Sequence, residues 1–234
     1  MAGRSIHVLQ HSESEGAAGA GRWAERQGFR VQICHLYQGE SLPDLAEVEC
    51  LWIMGGPMNI YQDRDYPWLK EERAYLEKAL EVGKKMLGFC LGSQLLADAL
   101  GARVHQNAWM EIGWYPVEMS GEAGREPGFG HFPDRLQVLH WHGDTFELPA
   151  EARLLASSEA CGHQAFAWNG KVIGFQFHME VEVRDLDGFI GCGQDLKNPG
   201  PHVQTEEEIR GGAAIHAARA QEVLAGFLEE FTAK

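Results

Sequence analysis

Basic side chains are scarce in this sequence. Its 234 residues hold 20 lysines and arginines against 34 aspartates and glutamates, a formal net charge of −14 at pH 7. A surface of that sign repels phosphate backbones, so nucleic acid is not an expected partner. Long hydrophobic runs are missing as well. No apolar stretch approaches the roughly 18 residues that cross a bilayer, and no membrane partner is expected. Near the start only Ile6-His7-Val8-Leu9 is apolar, too short for a secretory leader. Cysteine is sparse: Cys34, Cys50, Cys90, Cys161 and Cys192 are odd in number and form no C-x-x-C pair. That pattern argues against a disulfide scaffold or a zinc finger, and for a reducing cytoplasm. No internal repeat and no low-complexity tract is present, and no G-x-x-x-x-G-K-[ST] phosphate loop.

What is present is an ordinary globular composition, 44% hydrophobic and 23% charged, in a chain long enough to bury a core without disulfides. The first hundred residues alternate at short spacing. Strands are expected at Ser5–His11, Arg30–Tyr37, Cys50–Met54 and Lys85–Phe89, and helices at Glu15–Gly28, Tyr66–Val82 and Gln94–Leu100. This order predicts βαβ units, a mostly parallel sheet covered on both faces. After residue 102 the pattern changes to successive strands: Val104, Glu111–Met119, Leu136–Trp141, Arg153–Ala156, Gln164–Trp168 and Val172–Phe177. Residues 120–135 read as a loop. Helices are expected at Val181–Ile190 and, after the breaker Asn198-Pro199-Gly200-Pro201, at Ala213–Phe231. No linker separates two domains. The expected organisation is one domain over residues 1–195 and an extension over 196–234 whose amphipathic helix packs on it.

The sharpest local feature is Gly88-Phe89-Cys90-Leu91-Gly92, set between an apolar strand and a helix. A G-x-nucleophile-x-G turn strains its central residue and pushes that side chain out at the carboxyl edge of a sheet. The amides of the following helix then favour thiolate over thiol. Cys90 is therefore the expected nucleophile, and the other four cysteines read as small buried side chains.

A nucleophile needs a base and a group to orient it. Phe175-Gln176-Phe177-His178-Met179-Glu180 closes an apolar strand, and alternation puts His178 and Glu180 on one face with Phe175, Phe177 and Met179 on the other. A carboxylate there fixes the imidazole tautomer. The Leu91 amide is placed to donate to an oxyanion. Gly55-Gly56-Pro57, at the end of another strand, brings a second stretch of backbone to the same edge. His140, His142 and Asp144 alternate and would make a metal face on a strand. Gly143-Asp144 also reads as the turn that ends that strand, so no metal is expected.

Taken together, Gly88–Ala97, Gly55-Gly56-Pro57 and Gln176–Glu180 resemble the class I, triad-type glutamine amidotransferases, from about residue 5 to 190. The stretches Met54–Leu69, Glu111-Ile112-Gly113-Trp114 and Trp141-His142-Gly143-Asp144 are most similar to stand-alone members related to the amidotransferase domain of GMP synthase. The resemblance implies a flavodoxin-like α/β/α sandwich that hydrolyses the side-chain amide of L-glutamine through a Cys90 thioester. His178 would shuttle protons and Glu180 would orient it. The amides of Gly56 and Leu91 would form the oxyanion hole. Gln94 matches the glutamine-contacting position, and Gly143 and Asp144 match the segment that reads the substrate's α-amino and carboxylate groups. Many members carry histidine where Ser93 stands, a position outside the triad. No cofactor is implied.

The nucleotide loop of the synthase, an SGGxDS-type sequence, is missing, so the chain is not expected to make GMP unaided. A separate synthase receiving ammonia is the expected partner. Two other readings stay open: a γ-glutamyl peptidase or hydrolase using the same thioester, and a catalytically silent regulatory module.

Overall fold

Period-two alternation in the short strands sets up the architecture. In the computed structural model, which describes residues 4–192, 194–197 and 199–233, strand β3 (Cys50–Ile53) sends Leu51 and Ile53 to one face of a sheet and Cys50 and Trp52 to the other. Strand β4 (Lys85–Phe89) does the same, with Met86 on the first face and Leu87 and Phe89 on the second. Both faces must then be covered. Helices α2 (Trp68–Glu81) and α3 (Leu91–Ala99) cover the first through Leu69, Leu76, Leu95 and Leu96. Helices α1 (Ala18–Arg26) and α5 (Glu206–Phe231) cover the second through Ala20, Trp23, Val223 and Phe227. The result is a three-layer α/β/α sandwich.

Among the described residues the sheet has nine strands. β1 (Ser5–Gln10), β2 (Arg30–His35), β3, β4 and β9 (Val172–Phe175) are parallel in the order β2-β1-β3-β4-β9. β8 (Ala165–Trp168), β7 (Arg153–Ser157), β5 (Val104–Met119) and β6 (Arg135–Phe146) extend it antiparallel. The expected parallel sheet thus accounts for five strands, and the strand-rich second half adds the antiparallel wing.

Several boundaries differ from expectation. Val104 and Glu111–Met119 belong to one strand, β5, interrupted by a register shift between Gln106 and Glu111. β6 does not stop at Gly143-Asp144 but runs to Phe146, so that pair is strand interior, not a turn. β9 ends at Phe175; His178 continues in extended form through a two-way bridge with Leu139. Residues 181–192 divide into a 3-10 turn (Val183–Asp185) and helix α4 (Leu186–Cys192). α5 begins seven residues early, because Thr205 and Glu208 close a reciprocal capping box. Among the described residues no helix is long and apolar enough to cross a membrane.

Candidate active site

Cys90 is the joint between β4 and α3. Its φ of 48° and ψ of −109° lie where side-chain-bearing residues are strained. The flanking glycines are required by close approach. A Cβ on Gly92 would run into the Ile53 carbonyl, and one on Gly88 would stand 2.5 Å from the Gly92 backbone. The Cys90 amide donates to the Phe175 carbonyl at 2.7 Å, which ties the bend to β9. Helix α3 starts at the next residue, three earlier than the sequence pattern indicates, so its first-turn amides lie at the sulfur.

The Cys90 thiol sits 3.6 Å from the Trp141 carbonyl oxygen, and the Gln176 amide approaches the sulfur at 3.7 Å. Burial pushes the thiol up; His178 and the Leu91 amide pull it down. The Trp141 carbonyl oxygen is the acceptor that faces the thiol. Among the other described cysteines, Cys50 and Cys161 are buried as expected, whereas Cys34 on β2, at the edge of the sheet, is only half-buried, which corrects that expectation. Burial pushes Cys50 up to about 12 and Cys34 to about 11, and Cys161 is buried. The side chain of Cys192 lies outside the described residues.

His178 and Glu180 do share a face although β9 has ended. His178 Nδ1 is 2.6 Å from Glu180 Oε1, both side chains buried, while Phe177 and Met179 enter the core behind them. Burial disfavours the imidazolium, but Glu180 and the neighbouring Cys90 outweigh it and raise the His178 value well above the ordinary one. His178 Nε2 has no hydrogen-bond partner among the described residues, and Phe189 packs edge-on at 4.9 Å between ring centroids.

A cavity of about 560 Å³ opens on Cys90. Gly56, Leu91, Gln94, Gly143 and Asp144 all line it, so every expected substrate and oxyanion position meets the expected nucleophile in one space; His178 and Glu180 are buried. Gln94 Nε2 donates to the Gln176 side-chain oxygen at 3.1 Å and to the Asp144 carbonyl at 3.3 Å. The Asp144 carboxylate accepts from the Asn59 amide across the cavity.

Three contributors escape the sequence reading. Glu15 lines the cavity, its carboxylate over Gly55 where a Cβ would collide with it; burial, the largest effect, raises its value. Gln176 reaches the sulfur. His11 holds the Gly55 turn: Nδ1 donates to the Gly55 carbonyl at 3.0 Å and Nε2 to Glu72 at 2.9 Å, all buried. Both ring nitrogens face oxygen atoms, an arrangement that favours the protonated ring. Burial opposes this, and Glu72 reverses the balance and raises its value. A lone histidine after a strand carries no signal of this role in the sequence.

Comparison with known proteins gives the family. Residues 22–190 match the family model described as glutamine amidotransferase class-I. The chain is 35% identical to the glutamine amidotransferase-like protein YfeJ of Salmonella typhimurium, with 97% of each covered. It is 30% identical to part of the GMP synthase of Azoarcus, of which it spans 38%. A glutamine amidotransferase crystal structure from Thermotoga maritima superposes with a TM-score of 0.87 at 32% identity, covering 98% of both chains. Fold, site arrangement and sequence place this chain in the class I glutamine amidotransferase family.

Proposed function

We propose that the chain hydrolyses the side-chain amide of L-glutamine. The observation that carries the reading is Cys90 at a strained strand–helix bend, opening on the same cavity as Gly56, Leu91 and Gln94, with the His178–Glu180 pair alongside. His178 takes the thiol proton and Cys90 attacks the amide carbon. The Gly56 and Leu91 amides receive the oxyanion. His178 returns the proton to the departing ammonia, leaving a γ-glutamyl thioester. It then deprotonates water, which releases glutamate. Glu180 keeps the imidazole in the productive tautomer and supports its charge. The ammonia passes to a separate acceptor or synthase; the likeness to a part of GMP synthase supports a partner of that kind. The domain boundary near residue 195, with 196–234 as an extension packed through α5, belongs to the same proposal.

A second reading, hydrolysis of larger γ-glutamyl compounds, is favoured by one feature. The cavity is in the size range that encloses drug-sized ligands, more than glutamine needs, and Glu15 adds a carboxylate to its wall. Release of glutamate and ammonia from glutamine, compared with cleavage of a γ-glutamyl dipeptide, separates the two. Glutamine turnover that disappears in Cys90→Ser supports the first; dipeptide cleavage without glutamine turnover replaces it with the second.

A further inference from the structure

At the wall of the cavity, where His142 is a lining residue, the two antiparallel strands β5 and β6 bury a polar cluster that the proposed reaction does not use. The register shift after Gln106 sets Glu111 directly opposite His142, and His140 two residues on points to the same face. All three are buried. Glu111 Oε2 is 3.2 Å from His142 Nε2 and 3.5 Å from His140 Nδ1. The Gln164 amide lies 2.7 Å from the same oxygen and 3.4 Å from His142 Nε2.

The far side of each ring decides what occupies the near side. His142 Nδ1 faces the Asp144 carbonyl at 3.0 Å, and His140 Nε2 faces the Tyr115 carbonyl at 3.3 Å. Carbonyl oxygens only accept, so each of those nitrogens carries its hydrogen. In both neutral rings the remaining lone pair then points at one carboxylate oxygen. This differs from His11, which has a carboxylate to itself and resolves the conflict with a proton. Here one carboxylate serves two rings. A proton on His142 would still leave His140 Nδ1 unpartnered against Glu111, and both that atom and Gln164 Oε1 lack partners among the described residues.

We propose that Glu111, His140, His142 and the Gln164 side-chain oxygen, its amide turned over, hold a divalent transition-metal ion of the zinc type. Tetrahedral ligands at zinc distances stand about 3.3 Å apart. With the Gln164 oxygen in the place of its nitrogen, four of the six separations run from 2.7 to 3.5 Å, and the three histidine and carboxylate ligand atoms lie within 4.8 Å of one another. A backbone carbonyl on the other nitrogen of each histidine is the usual outer support of a metal-bound imidazole. Asp144, the carboxylate that strand alternation pairs with these histidines, is engaged with Asn59 and takes no part. None of its ligands has a part in the proposed reaction, and the ion is structural. It fixes β5 to β6 and so holds the 142–144 segment that lines the substrate cavity.

The test is metal content. The full chain is unfolded in chelator, refolded with excess Zn(II) or Co(II), dialysed and analysed by plasma emission. The wild type and Cys90→Ser are each expected to retain about one ion per chain, and His140→Gln and Glu111→Gln less than about a tenth. The cobalt form is expected to show tetrahedral visible bands without sulfur-to-metal charge transfer. Should Glu111→Gln fail to fold, His140→Gln, which leaves the carboxylate in place, carries the comparison. Folded wild type that retains less than about a tenth of an ion overturns the proposal, as does loss of the metal in Cys90→Ser or full retention in His140→Gln.

Discussion

His178 Nδ1 stands 2.6 Å from Glu180 Oε1 with both side chains out of solvent. In the proposed reaction the carboxylate acts through the imidazole, so its removal is expected to leave the nucleophile in place but the base misdirected. Glu180→Gln is expected to lower turnover on the order of 10³-fold or more while the Cys90 thioester still forms slowly. Single-turnover trapping of the acyl-enzyme measures this; unchanged steady-state turnover would remove Glu180 from the account.

Strain at Cys90 gives a stability prediction independent of activity. At a φ of 48°, glycine is relaxed and alanine is not. Ordinarily Gly is less stable than Ala by roughly 0.5–1 kcal/mol in a regular element. At position 90 the order is expected to be level or reversed, with both variants inactive. Urea unfolding of Cys90→Gly and Cys90→Ala provides the comparison.

Gly92→Ala is expected to be among the most damaging single methyl additions in the chain. Its Cβ would meet the backbone oxygen of Ile53, which cannot swing aside. Overpacking of this kind costs about 1–3 kcal/mol. The displaced bend is expected to abolish turnover even where the protein still folds, a combination read from urea midpoints and glutaminase assays together.

The His11–Glu72 pair predicts a pH signature in stability. His11 has a raised folded-state value, so its contribution is complete below the ordinary histidine value near 6.5 and is lost as pH rises through the raised one. Breaking a buried pair by removing one partner costs about 3–5 kcal/mol. His11→Gln is therefore expected to be destabilised most at pH 6, with the gap to wild type narrowing toward pH 9. A gap that widens with pH would contradict the assignment of His11 as an imidazolium.

The legible parts of the site are those whose chemistry constrains neighbouring residues. Gly88 and Gly92 mark the bend because only glycine tolerates such close backbone approach. His178 and Glu180 were placed on one face by alternation, which survives the end of β9 through the Leu139 bridge. Less legible were features made by tertiary pairing. Gly143-Asp144 carries turn chemistry but is held in β6 by its partner β5. Glu111 joins His140 and His142 only because a register shift 30 residues upstream sets it opposite them. Glu15 comes from the segment before α1, and its approach to Gly55 crosses the gap between two strand ends. The first turns of α5 are polar, so apolar periodicity starts late and only the Thr205 cap marks the true beginning.

The central claim is that the sulfur of Cys90 reacts with a γ-carbon electrophile seated in the cavity it shares with Gly56, Leu91 and Gln94. Incubation with the glutamine-like electrophile diazo-oxo-norleucine, followed by peptide mass spectrometry, tests it directly. The account predicts one label per chain, on the Cys90 peptide, suppressed by excess glutamine and absent in Cys90→Ser. A label on another cysteine, or labelling that persists in Cys90→Ser, would contradict it.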